Sequence, residues 1–375
     1  MPSFSRPDWS GRFNRLERAC ADLPVDALVC SSPVSIRYLS GFAGSAGLLV
    51  LVPNRPPILL VDGRYAASVA DDIAADRIAP VTIELVERRY EGGLATLLDR
   101  LHLTTVGFEA AHVTVAALEA WKKVTPATQW RATEQLVERL RIIKDDAEQQ
   151  VLRRAGRLLA GVARALPELV STGLTERGIA SAIDDAIERA GFSAPAFTTI
   201  VASGPHSAHP HARPTDRELR AGDLVVLDFG GVLDGYCADL TRVAAVGQAG
   251  AEARKLYDAV AEAHQAALAA VRPGIPGSVI DGAARDRLEA RGLGPAFLHA
   301  TGHGLGLEVH EAPRIARADP DAPELDVTTE PGMVFTIEPG AYVDGLGGVR
   351  LEDDVLVTAR GSEVLTNAPC DLLVV

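Results

Sequence analysis

Short apolar runs alternate with helix-patterned stretches along the first third of the chain. Val25–Cys30, Gly47–Val52, Ile58–Val61 and Val81–Val86 are rich in Val, Leu and Ile and predict strands. Trp9–Leu23, Gly63–Ala75, Gly92–Leu101 and Val113–Lys123 predict helices between and after them. That alternation predicts an α/β domain. The segment Gly41–Gly47 is rich in glycine but lacks the Lys-Ser/Thr of a phosphate loop, so it predicts a tight structural turn. The pattern changes near residues 136–146, where Asp145-Asp146 offers a helix cap. A long helix should follow, because Val151, Leu152, Ala155, Leu158, Leu159, Val162 and Leu166 fall on one face. Further helices are predicted over Thr175–Ala190, 251–271 and 277–291, with Gly191, Pro273-Gly274 and Gly292 as stops. β-patterned stretches at 196–203, 223–246, 296–310, 332–343 and 348–366 lie around them. The expectation is an α/β domain over residues 1–140, then an α+β domain over residues 141–375 with a largely antiparallel sheet.

Composition narrows the function classes. The formal net charge of −13 argues against a general nucleic-acid or anionic-membrane binder, which needs a basic face. Cys20, Cys30, Cys237 and Cys370 are scattered, with no CxxC pair, which favours a reducing compartment over a disulfide framework. No signal-peptide pattern opens the sequence and no apolar run reaches membrane-spanning length. A cytoplasmic location is the resulting expectation.

Candidate chemistry concentrates in the second domain. Asp228 and Asp239 interrupt an apolar strand pattern on either side of Asp234-Gly235, a hairpin-turn signal. If those two residues form the turn, Asp228 faces Thr241. Strand alternation then sets both carboxylates on one face. Two buried like charges are costly unless a cation sits between them. Glu338 ends another apolar run, and an odd-length turn around Gly345–Gly348 lets it share a face with Glu352 and Arg350. The histidines cluster as His206, His209, His211 and His299, His303, His310. Glycines at 302, 304 and 306 exclude a helix around His303 and permit close backbone approach. Each signal alone has a bland explanation: a turn-starting Asp, a carboxylate before Pro-Gly, a satisfied core histidine. Together they supply four carboxylates and an imidazole, a donor set that suits two divalent cations, Mn²⁺ or Co²⁺ before Zn²⁺.

The set resembles the creatinase/methionine-aminopeptidase superfamily of pita-bread metallopeptidases, in its Xaa-Pro aminopeptidase and Xaa-Pro dipeptidase branch. Ser32–Phe42, Asp62–Tyr65 and Arg141–Lys144 look like the family's N-terminal domain and its entry to the catalytic domain. The resemblance implies an α/β creatinase-like domain before a pita-bread catalytic domain with a curved, largely antiparallel sheet. It implies two divalent metal ions held by Asp228, Asp239, His303, Glu338 and Glu352. Catalytic roles fall to His211, His310 and Glu338, while His299, Tyr342 and Arg350 bind substrate or support the ligands. His206, where Asn is common, and Val243, where Thr is common, are departures outside the ligand set. The implied substrate is a peptide with proline at its second position, and a homodimer is the implied assembly. Gly-Phe-Ala-Gly-Ser beside Asp-Gly-Arg-Tyr favours the aminopeptidase, with the dipeptidase (prolidase) as the alternative. A metal-free creatinase-type hydrolase or a non-catalytic binding module would lack part of the donor set, which is complete here.

Overall fold

The computed structural model describes residues 6–375. These divide into two units, Asp8–Arg141 and Ile142–Val375, residues 6–7 being grouped with the latter.

The first unit carries strands β1 (Ala27–Cys30), β2 (Leu48–Leu51), β3 (Ile58–Asp62), β4 (Thr82–Val86), β5 (Thr105–Glu109) and β6 (Gln129–Thr133) in one sheet, ordered β4-β3-β2-β1-β5-β6. β2 runs antiparallel to β1 and β3, and the remaining pairs are parallel. Helices α1 (Trp9–Cys20), α2 (Pro33–Ser40), α3 (Ala66–Ala74), α4 (Tyr90–Arg100), α5 (Val115–Val124) and α6 (Leu136–Arg141) complete it. The core joins Val29, Val50, Leu60 and Val106 of the sheet to Leu94, Leu97 and Trp121 of α4 and α5. The glycine-rich segment begins as a helix stop. Gly41, at φ 81°, caps α2, and its amide donates to the Arg37 carbonyl.

In the second unit, helix α7 (Asp146–Leu169) starts at a reciprocal cap between Asp145 and Glu148. It buries Leu152, Ala155, Leu159, Val162 and Leu166 of the predicted stripe and leaves Val151 and Leu158 half-buried. Helices α8 (Glu176–Arg189), α9 (Ala251–Ala270) and α10 (Gly277–Ala290) also match their patterns closely. One sheet joins β7 (Ala194–Pro195), β8 (Ile200–Ser203), β9 (Leu224–Leu233), β10 (Tyr236–Ala245) and, at the C-terminus, β18 (Leu373–Val374). A second joins β11 (Gly302–Gly304), β12 (Glu311–Ile315), β13 (Val334–Ile337), β16 (Asp353–Thr358) and β17 (Gly361–Val364). Strands β14 (Gly340–Val343) and β15 (Gly347–Arg350) form a separate hairpin. Every pair in this unit is antiparallel except β10 with β18.

One expectation needs correction: residues 296–310 are not a strand. Only Gly302–Gly304 pairs into a sheet there, and the next strand begins at Glu311. The glycines that exclude a helix also leave too few side chains to hold a long ladder.

The β9–β10 hairpin sorts its two faces. Val225, Leu227, Phe229 and Leu240 pack with α7 and α8, while Leu224, Val226, Val243 and Ala245 pack with α9 and α10. Fully burying each of the larger side chains, Ala245 excepted, contributes on the order of 1.5–3 kcal/mol. Asp228 and Asp239 share the parity of that second face, so they continue it with charge where the apolar packing stops.

Candidate metal centre and active site

Asp234 at φ 49° and Gly235 at φ 83° make the two-residue turn that joins β9 to β10. The register sets Asp228 opposite Thr241 and Asp239 opposite Gly230, as the turn signal predicts. The β14–β15 hairpin turns through Asp344, Gly345 and Leu346, an odd number, and pairs Gly340 with Arg350. Glu338 and Glu352 therefore flank one end of it.

His303 is fixed by its neighbours. A side chain at position 302 would place its Cβ 1.8 Å from the Thr336 carbonyl oxygen, and one at 304 would place it 2.2 Å from that of Ala312. Both glycines are required for the chain to thread between these strands. The His303 Nδ1 lies 3.1 Å from the Gly304 carbonyl oxygen, to which its N–H donates. Nε2 is then left as a lone-pair donor facing the carboxylates. It lies 3.5 Å from Glu338 Oε1 and 4.0 Å from Asp239 Oδ2.

Ligand-type atoms of Asp239, His303 and Glu352 all fall within 4.8 Å of one another. Glu352 is oriented by the Thr241 hydroxyl, which donates to its Oε2 at 2.5 Å. The Arg242 guanidinium donates to its main-chain carbonyl at 2.6 Å. Asp228 Oδ2 takes a 2.5 Å bond from Arg350. The other oxygens, Asp228 Oδ1 and Asp239 Oδ1, are buried without a hydrogen bond.

Electrostatics expose the missing charge. Burial, then the charges of Glu352, Asp228, Asp354 and Glu338, push Asp239 well above its ordinary value. Burial, then Glu338 and Asp228, do the same to Glu352. Glu338 is raised to about 8, chiefly by burial. Desolvation, then His310, lowers His303 to about 4, so its imidazole is neutral and fit to ligate. Orphaned carboxylate oxygens, mutual repulsion and a neutral imidazole are what divalent cations would satisfy. The residues present fit them.

A cavity of about 680 Å³ opens here, lined by His211, Asp228, Asp239, His299, His303, His310, Glu338, Arg350 and Glu352 among others. Every expected site residue therefore reaches one space except Tyr342, which stands behind it. The Tyr342 hydroxyl accepts from Arg350 at 2.7 Å and lies 3.0 Å from His299 Nε2. His299 Nδ1 lies 2.8 Å from the Ala300 carbonyl oxygen, so it carries the proton and Nε2 accepts from the tyrosine. Burial lowers His299 to about 4 and keeps it neutral. His303 and His310 rings approach to 4.1 Å between centroids. His206 turns elsewhere, with Nδ1 3.1 Å from the buried Glu176.

Phe197, Thr198, Arg213 and Arg314 also line the cavity and are absent from the expected set. Residue type gave no signal for them. Arg213 lies two positions beyond His211, and Arg314 opposes His303 across β11 and β12. Both are exposed, and neither guanidinium has a hydrogen bond or ion pair among the described residues.

The chain is similar to known proteins along nearly its whole length. The chain is 31% identical over 364 residues to a Xaa-Pro dipeptidase of Pyrococcus furiosus, covering 96% of this chain and 99% of that one. It superimposes on a Xaa-Pro dipeptidase from Bacillus anthracis with a TM-score of 0.92 at 32% identity, covering 98% of this chain and 100% of that one. An X-Pro aminopeptidase from Thermotoga maritima MSB8 gives 0.85 at 30% identity, over 96% and 100% of the two chains. Residues 12–143 match the creatinase/prolidase N-terminal domain. With residues 150–359 matching its family model, the chain belongs to metallopeptidase family M24.

Proposed function

We propose that the protein is a Xaa-Pro dipeptidase that hydrolyses the bond between a residue and a C-terminal proline. The observation that carries this reading is the pair of unpartnered guanidiniums, Arg213 and Arg314, in the cavity that also holds the carboxylates. A dipeptide presents an ammonium at one end and a carboxylate just beyond the scissile bond. An acidic floor and a basic rim suit both ends. A longer peptide presents a neutral amide where the arginines stand. The aminopeptidase reading favoured from the N-terminal motifs therefore yields to its alternative, which the dipeptidase relatives also support.

In this reading Asp228, Asp239, His303, Glu338 and Glu352 hold two divalent cations, with Mn²⁺ proposed for its match to an oxygen-rich set. Bound there, the cations supply Lewis acidity and lower the pKa of a water near neutral pH. Glu338 takes up the proton of the attacking water on its carboxylate and delivers it to the proline nitrogen, which gains an N–H only on cleavage. His211 and His310 hydrogen-bond the oxygen on which charge develops. The creatinase-like domain gives way to the catalytic one near residue 141, at the junction of the two units.

Paired kinetics test the reading. A Xaa-Pro dipeptide should be cleaved with higher kcat/KM than its C-terminal amide or the Xaa-Pro-Yaa tripeptide. Arg213→Met and Arg314→Met should raise KM for the dipeptide more than for the amide. Faster turnover of the tripeptide overturns the proposal in favour of the aminopeptidase.

A further inference from the structure

A second group of potential ligands lies outside the cavity. Ligand-type atoms of His264 on α9, Asp353 at the start of β16 and Cys370 near the C-terminus fall within 4.8 Å of one another. His264 Nε2 is 3.3 Å from Asp353 Oδ2, and Cys370 Sγ is 3.7 Å from the same oxygen. For Zn–N and Zn–O near 2.0–2.1 Å and Zn–S near 2.3 Å, tetrahedral geometry sets such donor edges at roughly 3.3–3.6 Å. The observed spacings are close to those of a loaded site.

Two further observations point to a ligand. His264 is 2% exposed, and its Nε2 faces this spot with the Asp353 carboxylate at 3.3 Å as its partner, off the geometry of a well-formed hydrogen bond. Asp353 is also divided between two tasks. Its Oδ1 accepts from Arg242 and Thr366, each at 2.9 Å, leaving Oδ2 toward His264 and Cys370. Without a cation that second oxygen accepts from the Cys370 S–H at 3.7 Å, the proton a bound metal would displace, while the first oxygen stays braced as carboxylate ligands usually are. Arg242 does not compete for Oδ2. Its other N–H groups go to the carbonyls of Thr241, Glu352, Ala368 and Pro369.

We propose that His264, Asp353 and Cys370 form a third metal site, distinct from the dinuclear centre, for a single borderline-soft divalent cation of the Zn²⁺ or Cd²⁺ class. The ion enters from the side of the half-buried Cys370, and solvent takes the fourth position. On binding, the thiol releases its proton to solvent and the thiolate bonds the metal. Burial otherwise pushes that thiol up to about 12, so without a cation the sulfur keeps its proton. The loaded site would tie α9 and the C-terminal segment to the strand that follows Glu352.

The dinuclear donor set contains no sulfur, and this makes the test specific. The full-length enzyme is saturated with Mn²⁺ and titrated with Cd²⁺, and the ultraviolet thiolate-to-cadmium charge-transfer band is recorded. The band should saturate at one equivalent per chain, vanish in Cys370→Ser, weaken at least tenfold in affinity in His264→Gln, and survive in Cys20→Ser. No band in the wild type, or a band unaffected by both Cys370→Ser and His264→Gln, overturns the proposal. The readout involves no turnover, so its failure is distinguishable from failure of the dipeptidase reading.

Discussion

Asp239 illustrates what a single residue contributes and what its neighbours decide. Its carboxylate stands among Asp228, Glu352 and Glu338, with Oδ1 unsatisfied, and its own amide donates to Asp354 Oδ2 at 3.0 Å. Removing it should therefore relieve repulsion in the metal-free protein while removing a donor from the loaded one. Asp239→Ala and Glu352→Ala are expected to fold, to lose bound metal at one or both positions, and to lose activity. Near-stoichiometric metal in both by elemental analysis would refute the ligand assignment. His211→Ala should keep its metal and lose about 10²–10³ in kcat, the usual loss for one donor to a developing oxyanion. The candidate donors are legible because carboxylates interrupting apolar strands are conspicuous. Arg213 and Arg314 are not, since an arginine on a surface segment looks the same whether it faces a cavity or open solvent.

At the scale of elements, legibility follows pattern and turn chemistry. Helices α7 to α10 announce themselves through long apolar stripes with clear stops, and the β9–β10 register follows from Asp234-Gly235 alone. Helix α2 and strands β5 and β6 escape notice for want of pattern and not of length, since β5 and β6 are no shorter than β1 to β4 and Gly107 interrupts β5. Strand β6 alternates weakly, with only Thr133 buried. The region around His303 was misread for a physical reason: its glycines serve close packing between strands, and that demand is tertiary. Gly302→Ala tests this, since the added Cβ meets the Thr336 carbonyl oxygen at 1.8 Å. The strand must shift, and His303 with it. The variant should lose about 1–3 kcal/mol of stability, and metal content should fall with it. Wild-type melting and full metal occupancy together would show that β11 has slack the packing does not reveal.

For the whole molecule, the buried acidic centre is a destabilising feature that a bound ligand must offset. In the metal-free protein Glu338 is raised to about 8, and Asp239 and Glu352 stand well above their ordinary values, burial being the leading cause for each. A carboxyl group whose folded pKa exceeds its unfolded one binds more protons in the native state. At low pH, below the unfolded value of about 4.3 for Glu, both states are protonated and there is no penalty. Between that value and about 8, the unfolded chain ionises while the folded one resists. Stability of the stripped enzyme should therefore decline as pH rises from about 5 to about 8. Divalent cations reverse the balance: they bind the ionised carboxylates, so affinity grows with pH as protons are displaced. The metal-loaded enzyme should show a nearly flat melting temperature over the same window, and the gap between the two forms should widen toward alkaline pH. Thermal melts of chelated and Mn²⁺-reconstituted protein at matched pH provide the check. A stripped enzyme that gains stability between pH 5 and 8 would mean that these carboxylates already have compensating partners and that the centre is not built to hold cations.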